Sequence, residues 1–147
     1  MSSSKIHFFS EETDYIVKHK AKLRAWITHI ATNKGYAIKD LNYIICSDEY
    51  LLKMNQQYLN HDTYTDVITF DNNPISNTNH IFGDIFISID RIKDNADKLS
   101  IQPETELHRV MIHGALHLMG HLDKSPKDKA LMTQAEDQSL SELSHFL

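Results

Sequence analysis

Cysteine, long apolar runs and excess positive charge are all scarce in this 147-residue chain, and each shortage removes a class of protein. A single cysteine, Cys46, excludes an intramolecular disulfide, and within the apolar run LNYIICS it reads as a buried core thiol. No apolar run approaches the ~20 residues that a membrane-spanning helix needs. The start, MSSSKIHFFSEETD, has neither the basic region nor the long apolar stretch of a secretory signal. A soluble, cytoplasmic protein with no membrane partner is therefore expected. The formal net charge of −5 argues against a protein that coats nucleic acid by bulk electrostatics, because phosphate neutralisation draws on clustered Lys and Arg. The densest basic run, KHKAKLR from Lys18 to Arg24, reads first as a solvated helix face. Internal repeats and low-complexity segments are also missing.

What is present suits one globular domain over residues 1–147, since 41% hydrophobic content at this length can bury a substantial core. After the apolar start KIHFF, the spacing of Ile16, Leu23, Trp26, Ile27 and Ile30 predicts an amphipathic helix from Glu11 to about Asn33, closed by Gly35. AIKDLNYIICS predicts a strand. Ser47 with Asp48 and Glu49 then opens a helix that carries Leu51, Met54 and Tyr58 inward, followed by the polar connection NHDTY. TDVITF and IFGDIFISI predict two further strands, and the Asn-, Pro- and Ser-rich DNNPISNTNH between them predicts an exposed, mobile loop. DRIKDNADKLS reads as a short helix and PETELHRVMIHGALHLM as a longer one, with Pro103 in its first turn and Glu104 and Glu106 at its positive end. The last helix opens on SPKD, with Ser125 as cap and Pro126 at the first helical position. The order β-α-β-α-β-β-α-α-α points to an α+β domain with one small mixed sheet of about four strands covered by helices.

The stretch HGALHLMGHLD, from His113 to Asp123, carries the chemistry. His113 and His117 lie four residues apart on a predicted helix, so both imidazoles rise from one face about 6 Å apart along the axis, within reach of one ion. Two residues compete for the third ligand. On a continuing helix His121 would stand about 12 Å along the axis from His113, a poor arrangement around a tetrahedral ion. Gly120 suggests that the helix ends and the chain reverses, which lets Asp123 fold back over the pair and complete H-x-x-x-H-x-x-G-x-x-D. Asp123 is the preferred third ligand and His121 the alternative. Nitrogen and oxygen donors with an open fourth position suit one zinc ion and hydrolytic chemistry. The position after His113, where the zinc peptidase signature H-E-x-x-H carries its catalytic glutamate, is Gly114, which counts against peptidase activity. His7, His19, His29, His61, His80, His108 and His145 show no ligand spacing and receive no role.

Three blocks resemble the YbeY endoribonucleases, a family of ribosomal RNA maturation factors: NQQYLNHDTYTDVITF from Asn55 to Phe70, GDIFIS from Gly83 to Ser88, and HGALHLMGHLD. The resemblance implies a cytoplasmic α+β metalloprotein that binds zinc through His113, His117 and Asp123. It also implies single-stranded RNA as substrate, with action on the 3′ end of small-subunit ribosomal RNA and in ribosome quality control, hence rRNA and the ribosome as partners. The family's third ligand is a histidine where this chain has Asp123, an exchange that zinc tolerates. The family's Y-R pair is Tyr58–Leu59 here, so the arginine associated with RNA cleavage is missing. Either another cation serves, such as Arg109 or a lysine of the 18–24 run, or cleavage is weak. Thr65 and Asp66 read as a turn or capping pair, or Asp66 orients a ligand or accepts a proton. Gly83 and Asp84 read as a strand feature or as a place of close substrate approach. Two other functions fit the pattern: a metal-dependent hydrolase acting on peptides or small molecules, and a ribosome-associated factor in which the metal only pins the C-terminal helices.

Overall fold

In the computed structural model, which describes residues 5–60, 63–74 and 78–147, the elements follow the expected order. They are β1 (Ile6–Glu11), α1 (Lys20–Asn33), β2 (Ala37–Cys46), α2 (Asp48–Leu59), β3 (Val67–Asp71), β4 (His80–Ser88), α3 (Ile89–Leu99), α4 (Pro103–Leu118) and α5 (Pro126–Leu143). The four strands form one mixed sheet in the order β1-β2-β4-β3. β1 and β4 pair in parallel with β2, and β3 runs antiparallel along β4 as an edge strand.

Several boundaries follow from local chemistry. The Ser47 hydroxyl accepts from the Tyr50 N–H, Ser88 from Arg91 and Ser125 from Asp128, so three helices start on serine caps. Gly35, at φ 81°, ends α1 in a Schellman turn: its N–H donates to the Thr32 carbonyl and that of Tyr36 to Ala31.

Two expectations are corrected. The first helix begins at Lys20 rather than Glu11, because β1 stays paired with β2 through Glu11↔Cys46. Glu12 and His19 then both take left-handed backbone conformations, which an α-helix excludes, and Ile16 is left 68% exposed. Tyr58 does not turn inward either. It is exposed and sets its ring edge-on against Phe70, while Asn55 takes the buried place on that face of α2. The expected mobile loop falls partly on residues 75–77, and the NHDTY connection on residues 61–62, which lie outside the described residues.

Each face of the sheet buries a different core. On one, Cys46 and Ile68 meet Leu51 of α2, with Phe70 and Phe86 packed against them. There burial, together with nearby carboxylates, pushes the Cys46 thiol up to about 12, in keeping with an inert core residue. On the other, Leu41, Tyr43, Ile85 and Ile87 meet α1, α4 and α5 through Trp26, Ile27, Met111, Ile112, Leu116 and Met132. Two buried polar groups there are paired across elements: the Tyr43 hydroxyl donates to the Met111 carbonyl at 2.9 Å, and the Trp26 indole to the Ser139 carbonyl at 2.8 Å.

α4 lies unusually close to the sheet, and two glycines allow it. A Cβ on Gly114 would stand 2.8 Å from Ile85 Cδ1 and 3.0 Å from Cγ2. One on Gly83 would stand 2.6 Å from Leu118 Cδ1 and 2.9 Å from the Phe70 carbonyl oxygen. Gly83 thus serves the packing of strand and helix. Gly114→Ala should destabilise the fold by about 1–3 kcal/mol through overpacking, read as a lower urea midpoint at unchanged slope.

Candidate metal centre

α4 delivers both histidines, and its end delivers the carboxylate. Beyond Leu118 the helix closes in a second Schellman turn, with Gly120 at φ 93°, its N–H on the His117 carbonyl and that of His121 on Leu116. Three residues later Asp123 comes back over the helix. Its Oδ2 lies 3.5 Å from His113 Nε2 and 3.3 Å from His117 Nε2. The two imidazoles stand edge to face, with ring centroids 4.6 Å apart.

These separations can be tested against an ion. Bonds of ~2.0–2.1 Å in tetrahedral array hold ligand atoms about 3.3 Å apart, close to both distances. One donor atom from each of His113, His117 and Asp123 falls within 4.8 Å of the others, so the group could hold a metal ion. His121 is not part of it. Its backbone closes the helix, and its imidazole is pushed down in pKa by burial and then by Lys34 and His117.

Behind His113 stands a partner that the sequence reading did not find. Glu136, buried on α5, accepts a hydrogen bond from His113 Nδ1 at 2.6 Å, which turns Nε2 toward Asp123. A carboxylate behind an imidazole in this way fixes its tautomer and raises its basicity. Burial works against the charged imidazolium, but the hydrogen bond and charge of Glu136 outweigh it, and the His113 pKa is raised. Arg109 donates to Glu136 at 2.9 Å and to Asp137 at 2.8 Å. Its guanidinium is therefore committed to α5, and it is no free substitute for the arginine missing at Leu59. Arg24 of the basic run is engaged elsewhere, donating to the Ile6 carbonyl and lying over the Phe8 ring.

The triad forms one wall of a groove of about 630 Å³. β3 and the residues before it, from Thr65 to Asp71, form another wall, and Asn55, Leu59 and Thr63 a third. No lysine or arginine among the described residues lines it, whereas Asp66, Asp71 and Asp123 do. Asp66 serves the backbone as well: its carbonyl accepts from the Ser88 N–H at 2.9 Å, and its side chain receives the Asn95 amide at 3.4 Å. A smaller cavity joins Asp66 to Glu106, Arg109, His113 and Glu136. The buried Glu106 carboxyl there is raised in pKa by burial and then by the Asp66 charge, with Arg109 opposing. Asp84 stands apart from the groove and accepts from Asn42 and Asn72, a polar brace across the strands. His108, given no role from sequence, is a core residue against the edge of Trp26, and burial lowers its pKa.

Glu136→Gln keeps the triad but weakens its orienting partner. Zinc affinity, measured by competition with a chromogenic chelator, should fall about 10- to 100-fold.

The family model described as Endoribonuclease YbeY matches residues 6–144. Endoribonuclease YbeY of Cytophaga hutchinsonii is 52% identical over 141 residues, covering 96% of this chain and 97% of the relative. Its counterpart in Flavobacterium psychrophilum is 46% identical over 132 residues, covering 90% and 92%. A Thermotoga maritima protein solved in solution has the same fold, with a TM-score of 0.67 at 25% identity over 94% of this chain and 88% of its own. The matched span takes in the sheet, α4 with its two histidines, the returning Asp123 and the Glu136 brace, and on that span this chain belongs to the YbeY endoribonuclease family.

Proposed function

We propose that the protein is a zinc-dependent endoribonuclease specific for single-stranded RNA, with His113, His117 and Asp123 as metal ligands and catalytic centre. Its place is the cytoplasm, where it acts on the 3′ end of small-subunit ribosomal RNA and in ribosome quality control, with the ribosome as partner. The observation that carries the reading is the pair of 3.3 and 3.5 Å separations around Asp123 Oδ2, the spacing a tetrahedral ion requires, on the wall of an open groove. Family membership supplies the class of substrate. No helix of the described residues is long and apolar enough to cross a membrane.

Zinc, when bound, would supply Lewis acidity that lowers the pKa of a water toward neutrality. The chain's residues do the rest. Glu136 holds the His113 ring, and Arg109 holds Glu136 from the other side. Of the two groove carboxylates outside the triad, Asp66, which also meets His113 in the smaller cavity, is the one to which we assign the proton of the attacking water. Asp66, Asp71 and Asp123 together repel phosphate, a charge that a divalent cation held by His113, His117 and Asp123 would offset.

Peptidase activity loses ground on the same geometry, because Gly114 faces Ile85 of the sheet, and a glutamate there would point into the core. The non-catalytic reading, a ribosome-associated factor stabilised by its metal, draws on Leu59 and on the lack of cationic lining among the described residues.

His113→Ala, with folding checked by circular dichroism, should lose stoichiometric zinc and all cleavage of a single-stranded RNA. Unchanged zinc content in that variant contradicts the ligand assignment. Intact RNA with wild-type protein, combined with a lower Tm after EDTA, selects the non-catalytic factor.

A further inference from the structure

β3 is an edge strand, and its unpaired side opens into the groove. The hydrogen-bonding phase is set at both ends of the strand. The Ser88 N–H donates to the Asp66 carbonyl, and the Asn72 N–H to the Phe82 carbonyl. With Val67 opposite Ile87 and Asp71 opposite Gly83, the residues facing β4 are therefore 66, 68, 70 and 72. Val67, Thr69 and Asp71 direct their N–H and C=O groups away from the sheet, in a row that repeats about every 6.8 Å. All three line the groove.

Such a row alternates donors and acceptors. An RNA backbone presents phosphate acceptors and 2′-hydroxyls at its own spacing, whereas another polypeptide strand repeats both donor and acceptor at the ~6.8 Å period of the row. The side chains around the row set the sign of the partner's charge. Asp66 and Asp71 flank it, no lysine or arginine among the described residues lines the groove, and the whole chain carries −5. Leu59 and Leu118 add apolar wall on either side.

We propose that the open edge of β3 takes an extended, lysine- or arginine-rich protein segment as an added strand, held by the outward backbone groups of Val67, Thr69 and Asp71 and by the charges of Asp66 and Asp71. The inference goes beyond the nuclease reading and does not depend on it, since it rests on β3 rather than on the metal ligands. Because triad and edge face the same groove, a segment seated there covers the metal centre and excludes other ligands from it.

The test uses the full chain loaded with zinc and a fluorescent peptide of alternating lysine and valine, about seven residues long, with a glutamate-for-lysine peptide as control. Anisotropy should show the lysine peptide binding at least about tenfold tighter than the control, with an affinity that falls as salt rises. Thr69→Pro removes one outward N–H and leaves the β3–β4 ladder untouched, a substitution edge strands tolerate. It should weaken binding at least about tenfold without changing the circular dichroism spectrum. Should that variant fail to fold, Asp71→Lys supplies the same reading through charge. In the wild-type protein, amide shifts on peptide addition should centre on Val67, Thr69 and Asp71. Equal affinity for both peptides, or amide shifts centred elsewhere, overturns the proposal. So does an edge that answers to an oligouridylate probe, weakened by Thr69→Pro, while the lysine peptide does not bind.

Discussion

The close approach of α4 to β4 is the constraint on which the site depends. Contact between Gly114 and Ile85 seats the middle of the helix on the sheet, and contact between Leu118 and Gly83 seats its end. With both fixed, the face bearing His113 and His117 turns toward the groove beside β3, and the chain that follows the helix brings Asp123 to it. A helix held a few tenths of an ångström further out would carry its imidazoles away from the groove wall. The residue that the zinc peptidase signature reserves for catalysis is here spent on packing against Ile85.

Charge in the site is layered. Asp123 faces the imidazoles directly, Glu136 stands behind one of them, and Arg109 behind Glu136 ties that carboxylate of α5 to α4. A buried carboxylate needs a partner, and Arg109 supplies one to Glu136 at 2.9 Å. The same guanidinium is thereby unavailable to substrate. Leu59 and Arg109 together explain why the groove presents carboxylates and no fixed positive charge among the described residues, a polarity that a bound divalent ion would partly reverse.

Much of this was legible in the chain before any coordinates. The Ser47 and Ser125 caps, the Pro126 start and the two glycine-terminated helices are local signals, and each stands where hydroxyl, ring or left-handed backbone requires it. The approach of Asp123 to the histidine pair was legible for the same reason, since ten residues and one glycine turn decide it. What escaped was whatever depends on how distant elements pack. Glu136 belongs to a helix whose pattern says nothing of the turn of α4 it faces, and Glu106 passed for a helix-end charge until the neighbouring strand placed Asp66 beside it. The early start assigned to the first helix failed to a competing long-range interaction: β1 pairs with β2 as far as Glu11, and Ile16 mimics the helical period without belonging to it.

All the donor groups of the centre, and the two residues that brace them, fall between Arg109 and Glu136, whereas the last strand of the sheet ends at Ser88. Synthesis runs from the N-terminus, so every strand has left the ribosome before the first ligand does. A cation held by these residues would thus be captured late in the making of the chain, after the strands of the sheet and with α5 still to follow.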